Sequence, residues 1–331
     1  MASSGERTDA AVWSALGVVY VVWGSTYLGM AVLVEQVPPL LGMGTRFVCS
    51  AVVMALIIAA VRGVRALRVT RRELLFAGLI GVLLLTGGNG VVAAAERFVP
   101  SGIAALVIAV TPVWVVVFRR MSGDRPAALT VLGVVIGFAG VAALVLASSR
   151  STDSPGYGYQ DVSETAVLMW TLAVVAASLS WALGSFLAAR FSRQERLPTD
   201  PLVLTFWQFA TGGVGLLMAG LLDGESLPPP ATWDSRAVTA WLYLVVAGIL
   251  AFLCYTWLLA NARLSLVATY AYVNPVVAVA LGWWIKDENL TWALVGCGAL
   301  IVVGVAMVVR GEQPAETESE PHTVKDGTGG G

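Results

Sequence analysis

Apolar residues in this chain neither alternate nor keep to one helical face, but run nearly unbroken for about twenty positions at a time. The runs fall at 11–31, 39–61, 74–95, 100–118, 127–147, 166–189, 202–222, 237–259, 266–285 and 290–309. Each has the length a helix needs to cross the hydrocarbon core of a bilayer. They are apolar around their whole circumference, which separates them from surface helices and from the period-two pattern of a transmembrane β-barrel. The pattern predicts an all-α polytopic membrane protein of ten transmembrane helices.

Composition and charge sharpen this picture. Hydrophobic residues make up 57% of the 331 and charged residues only 12%, where a soluble protein has about a quarter charged. Lys and Arg are unevenly placed between the runs. With the N-terminus in the cytoplasm, 15 of the 20 lie on the inner side, at Arg7, between Arg62 and Arg72, at Arg119, Arg120 and Arg125, between Arg190 and Arg196, at Arg263, and at Arg310 and Lys325. Arg97, Arg150, Arg236 and Lys286 are the 4 outside, and Arg46 lies within a run. Positive residues favour the cytoplasmic side, so both termini are expected there, which requires an even number of spans. The expected location is the cytoplasmic, or inner, cell membrane. Residues 1–10 are short and mixed in charge and read as a cytoplasmic N-terminus, not a cleavable signal. Residues 311–331 are acidic and rich in Pro and Gly, and read as a disordered cytoplasmic tail. A net charge of −1 gives no reason to expect a nucleic-acid partner.

The second half echoes the first. A shift of 163 residues sets Thr111-Pro112 on Asn274-Pro275, Asp124 on Asp287 and Gly133 on Gly296. A shift of 162 sets Pro39 on Pro201 and Arg46-Phe47 on Gln208-Phe209, and a shift of 158 sets Trp23 on Trp181. The expected organisation is a first repeat over 11–150, an outer loop over 151–165 and a second repeat over 166–310. Each repeat holds five spans, an odd number, so the two are expected to lie inverted. Inverted repeats with a site between them near the midplane are a transporter architecture.

Ionisable groups inside a membrane are functional candidates by default. Arg46 lies seven residues into the second run, about 10 Å deep at 1.5 Å per residue. Glu96 lies at the outer end of the third run, and the two are candidates for coupling or gating, as an ion pair or across a shared vestibule. The bland alternative is that Arg46 snorkels and Glu96 is a loop residue. Trp23, Thr26, Tyr27 and Met30 share one face of the first helix, and Asn89 shares a face with Glu96. Thr269, Tyr270, Tyr272 and Asn274 precede Pro275, as Thr111 precedes Pro112. Two prolines at corresponding places predict two broken helices, the usual marker of a central site. Trp23, Thr26, Tyr27, Asn89, Trp181, Thr269, Tyr270, Tyr272 and Asn274 are the candidate substrate-binding residues. Packing kinks and interhelical hydrogen bonds are the plainer alternative. The glycines at 133, 137 and 140 and Gly212-Gly213 are expected to let helices approach closely. A monomer is expected, with a dimer through such a ridge as the alternative.

Several chemistries lose their footing. His322 is the only histidine and sits in the tail, so no Ser–His pair can be built within the membrane. No span carries paired carboxylates, and no Gly-rich loop ends in Lys to hold a nucleotide. Cys49, Cys254 and Cys297 stand alone in apolar runs, without metal or redox spacing. An enzyme, a cofactor and a metal site are therefore not expected. The scarcity of buried acids keeps a passive facilitator open beside a proton-coupled carrier.

Several motifs carry a family resemblance. They are Trp23-Gly24-Ser25-Thr26-Tyr27, Pro38-Pro39-Leu40 with Arg46-Phe47, and Gly88-Asn89-Gly90 leading to Glu96. Val99-Pro100-Ser101-Gly102-Ile103, Ser180-Trp181-Ala182-Leu183-Gly184-Ser185 and Ala268-Thr269-Tyr270-Ala271-Tyr272-Val273-Asn274-Pro275 continue it. Over roughly 15–310 the chain resembles the EamA-type branch of the drug/metabolite transporter superfamily, and looks most like its YedA-type subgroup. The resemblance implies export of small metabolites such as amino acids or drug-like compounds. One departure is visible: the Gly-Glu pair often found after the fourth helix of each repeat keeps Glu288 in the second copy but reads Gly123-Asp124 in the first.

Overall fold

A computed structural model describes residues 4–95, 98–99, 107–151, 163–286 and 292–312. Among these residues the chain is helical throughout and contains no strand. The main helices are α1 (Ser4–Val34), α2 (Pro39–Arg62), α3 (Arg71–Ala95), α4 (Thr111–Met121) and α5 (Ala128–Ser151). They continue as α6 (Glu164–Arg193), α7 (Pro201–Leu222), α8 (Ser235–Asn261), α9 (Tyr270–Lys286) and α10 (Trp292–Glu312). Among the described residues, six segments are long and apolar enough to cross a membrane: α2, α3, α7, α8, and the stretches Leu168–Arg193 of α6 and Val295–Glu312 of α10. Their outward faces carry exposed Leu56, Val246 and Val302, a surface that water would penalise and lipid accepts.

Local chemistry sets the helix starts. Thr70 and Glu73 form a reciprocal capping box at α3, with Glu73 N donating to Thr70 Oγ1 (3.2 Å) and Thr70 N to the Glu73 carboxylate (2.7 Å). Asp234 accepts from Ala237 N (2.8 Å) to cap α8. The helices overrun the apolar runs at several ends. α1 begins at Ser4, inside the segment expected to be a plain N-terminus, and α10 continues to Glu312. Apolarity marks the part of a helix that meets hydrocarbon, whereas backbone hydrogen bonding continues through polar residues.

The backbone departs from regular α-helix at three places. Within α3, Val82–Gly90 forms a π-helical stretch. Ala109–Val110 form a turn just before α4, and Ala268–Thr269 separate the single turn Leu264–Val267 from α9. The expected breaks at Pro112 and Pro275 therefore lie upstream of the prolines, which sit inside α4 and α9. A proline ring clashes with the carbonyl four residues earlier, so the interruption falls toward the N-terminus. The two breaks are not at corresponding residues: the one before α9 lies a further turn from its proline.

Helix pairing is antiparallel for α2 with α7 and for α5 with α10. At one end of the first pair, Glu225 accepts from Leu40 N (3.3 Å) and Leu41 N (2.8 Å) at the start of α2. At the other end, Arg62 closes an ion pair on Asp200, the N-cap of α7. In the second pair Gly133, Gly137 and Gly140 of α5 face Val308, Gly304 and Ile301 of α10. A Cβ at Gly304 would stand 2.5 Å from Gly137 N and 2.8 Å from Gly133 O. Only backbone is in the way there, and backbone cannot yield. α1 packs against α8 and α9, and α6 against α3 and α4.

Gly304→Ala is accordingly expected to lower the melting temperature of the purified protein, by overpacking of about 1–3 kcal/mol. Gly17→Ala is the control, since a Cβ there meets nothing within 4 Å. Alanine in place of a free helical glycine should leave stability unchanged or raise it by up to about 1 kcal/mol.

Candidate functional site

α1, α3, α6, α8 and α9 meet around a central cavity whose water-accessible interior is about 90 Å³, room for about three water molecules at their liquid volume. Trp23, Trp181, Phe252 and Tyr270 contribute aromatic rings to its walls. The Trp23 ring of α1 lies 4.8 Å from both Tyr255 and Tyr270, 5.5 Å from Trp181 and 5.7 Å from Phe252, centroid to centroid. Trp181 Nε1 donates to Tyr255 Oη (3.1 Å), and the Tyr255 and Ser185 hydroxyls are 2.6 Å apart. These bonds fix the tilt of the ring cluster, whose edge-to-face contacts are the favoured aromatic geometry.

The polar residues lie on the cavity wall between the rings. Arg46 reaches in from α2, buried, with its guanidinium carbon 4.3 Å from the Phe47 ring centroid. Its Nε and Nη1 meet no hydrogen-bond acceptor among the described residues. Asn89 of α3 and Asn274 of α9 also line the cavity, each with a buried Oδ1 that receives no hydrogen bond there. Buried polar groups without a partner are costly, and these three share one space. That arrangement presents donors from Arg46 and acceptors from Asn89 and Asn274 to whatever occupies the cavity.

Backbone geometry brings Asn89 there. The π-helical stretch of α3 widens the turn through Gly87-Gly88-Asn89-Gly90, and such insertions concentrate at functional sites. The Ser180 hydroxyl donates to the Leu83 carbonyl (2.8 Å) and Thr86 Oγ1 to the Gly212 carbonyl (3.1 Å), so neighbouring helices hold this stretch. Gly88 is required by close approach: a Cβ there would stand 2.8 Å from the Trp181 ring.

The candidates read from the sequence divide as follows. Trp23, Thr26, Arg46, Asn89, Trp181, Tyr270 and Asn274 are brought together at the cavity. Thr269 points instead to Tyr20, with the two hydroxyl oxygens 2.5 Å apart. Tyr272 is a correction: its hydroxyl donates to the Val134 carbonyl (2.9 Å), and it packs with Ala109, Val141, Leu144 and Ile301 away from the cavity. Tyr27 lies within α1, but its side chain is outside the described residues, and so is Glu96. Pro112 and Pro275 do not line the cavity, whereas Thr111 does. Sequence reasoning missed Ser178, Phe252 and Tyr255. A signal existed for the first, because Ser178, Trp181 and Ser185 recur at i, i+3 and i+7 on one face of α6.

A polytopic helical membrane protein with a central cavity lined by aromatic rings and a few buried polar groups is the class these features define. The EamA-like transporter family matches residues 11–146 and 168–310, and the chain belongs to that family. It is 34% identical over 305 residues to the uncharacterized inner membrane transporter YedA of Escherichia coli K12, with 91% of each chain covered. It is 28% identical over 310 residues to a probable terminal-alkyne amino-acid exporter of Streptantibioticus cattleyicolor, covering 92% of this chain and 95% of that one. A crystal structure 22% identical in sequence shares the fold, with a TM-score of 0.73 over 92% of this chain and 98% of that one.

Tyr255→Phe tests the ring scaffold. It removes the acceptor of the Trp181 N–H in a buried place, so stability should fall by about 1–3 kcal/mol. Ser185→Ala, which leaves that acceptor intact, should cost less in the same thermal melts.

Proposed function

We propose that the protein is a secondary transporter that exports small metabolites, amino-acid-like or drug-like solutes, by alternating access around the central cavity. The observation that carries this reading is the convergence of Arg46, Asn89 and Asn274 on one buried space, each with polar atoms left open toward it. Inside a membrane such groups persist where they serve a pathway or a bound solute. Arg46 offers a site for a carboxylate, and the amide oxygens and ring faces offer one for an ammonium group or an aromatic body. The relative named as an amino-acid exporter supports this chemistry and the outward direction.

In this proposal the site lies between two inverted five-helix repeats, α1–α5 and α6–α10. The main pairings support it, because exchanging each helix for its counterpart five places on returns them. α2–α7 and α5–α10 map onto themselves, α1–α8 maps onto α6–α3, and α1–α9 onto α6–α4. The antiparallel course of α2 with α7 and of α5 with α10 is what an inversion requires. The inner membrane, named for the relative YedA, is the proposed location, with both termini cytoplasmic as the arginine distribution favours. A monomer is the proposed unit, its glycine ridge on α5 being occupied by its own α10.

Proton coupling through Glu96 is one way to energise export. A passive facilitator is the second reading, favoured by one observation: no carboxylate is among the described residues that line the cavity. Purified protein in liposomes with an imposed pH gradient separates them. Accumulation of solute against its own gradient, lost in Glu96→Gln, is expected for the coupled carrier; equilibration regardless of pH is expected for the facilitator. The solute itself is sought in the medium of overproducing cells. Metabolites enriched by the wild type and at least tenfold less by Asn274→Ala or Arg46→Gln are the expected cargo. An unchanged profile in both variants overturns the assignment of the cavity as the transport site.

A further inference from the structure

A second, larger cavity of about 860 Å³ opens at the other end of α4, where no candidate had been expected. It is separate from the central one. Between the two, α4 and α6 close on each other through a Trp114 Nε1 hydrogen bond to Ser178 Oγ (3.2 Å) and the Phe118 and Phe186 rings, 5.7 Å apart. Four stretches of chain, each at a helix end, bring five arginines and two carboxylates to its walls.

The two carboxylates are committed. Glu312, buried at the end of α10, binds Arg119 at 2.6 Å, lies 3.5 Å from Arg263, and accepts from Thr130 Oγ1 at 3.2 Å. Asp124 holds the other side of Arg119 at 2.7 Å. Arg119 also donates to Ser265, which ties α4 to the turn before α9. This core fixes one wall. Arg125, Arg190 and Arg193 make up the rest of the charge, are exposed, and form no ion pair with any described residue. The cavity therefore has a built floor and a surplus of three positive charges at its mouth.

We propose that this cavity is a binding site for a phosphate-bearing anion, with the headgroup of an anionic phospholipid as the source its depth favours. Guanidinium forks match phosphate oxygens in geometry and charge. Arg190, Arg193 and Arg263 stand at the ends of span-length helices, which is headgroup level, and basic pockets between helices at that level hold anionic lipid headgroups. Only the leaflet that supplies the lipid rests on the orientation proposed above; the site itself does not.

The test is a binding titration of fluorescent phosphatidylglycerol on the full-length purified protein in neutral detergent, with phosphatidylcholine as the comparison and inorganic phosphate as competitor. Saturable binding of phosphatidylglycerol is expected, with an affinity about tenfold above that for phosphatidylcholine and about tenfold lower for each of Arg190→Gln and Arg193→Gln. Displacement by millimolar phosphate identifies a free anion as a sufficient ligand; failure of phosphate to displace it identifies the lipid. Arg65→Gln with Arg68→Gln removes twice as much charge as either cavity variant, outside this cavity, and binding should survive it. Equal loss in that control, or no loss in the cavity variants, overturns the proposal. The same variants scored for transport keep it distinct from the central site: Asn274→Ala should leave lipid binding unchanged.

Discussion

Hydrocarbon offers a polar side chain no partner, so every polar group in this helical bundle has to be met by protein or by a cavity. Most are met. Ser and Thr hydroxyls donate to the carbonyl a turn earlier, as Ser50 does to Arg46 and Thr26 to Trp23. Others bridge helices, such as Ser180 to the Leu83 carbonyl and Tyr272 to that of Val134. Once these are set aside, Arg46, Asn89 and Asn274 remain with open atoms on one wall-lined space, while Gln208 Nε2 is left open outside it. Three of the groups that leave this rule unsatisfied therefore meet where there is room for a solute.

Two devices keep that space from collapsing. Aromatic rings line it, and they are held in fixed tilt by Trp181, Tyr255 and Ser185 rather than by packing alone. Glycines on the surrounding interfaces let the helices close tightly elsewhere, most of all where Gly137 and Gly304 bring α5 against α10. Tight contact at that interface and an open centre are complementary. A helix pair that can approach at backbone distance fixes the frame from which the larger side chains of the cavity project.

The hydropathy of the chain made most helix ends legible to within a turn or so, since the cost of placing charge in lipid is large and local, but α1 begins at Ser4, well before its apolar run, and α4 at Thr111, well after the start of its own. The partners of each helix were not legible in hydropathy, and side-chain directions only in part. Tyr270, Tyr272 and Asn274 were grouped by proximity in sequence, yet residues two apart lie on nearly opposite faces of a helix while residues four apart share one. Tyr270 and Asn274 accordingly meet at the cavity and Tyr272 turns toward α5. The π-helical stretch of α3 left only glycines as a sign in the sequence, and it is held by hydrogen bonds with α6 and α7. Phe252 and Tyr255 sit in a run so apolar that sequence alone gives no reason to single them out.

Arg46 and Gln208 occupy matching places in the two halves of the sequence, each followed by phenylalanine, and the rings of Phe47 and Phe209 touch at 5.3 Å. Their surroundings differ in one respect that matters. Gln208 Oε1 accepts from Thr256, which accepts from Thr205, so this amide oxygen is tied into protein and lies away from the cavity. Arg46 has no such chain of hydroxyls and faces the cavity. A guanidinium there has a cost that glutamine does not, several kcal/mol if the charge stays uncompensated. The charge at position 46 is thus a departure that packing does not ask for, and an anionic group entering the cavity would offset its cost.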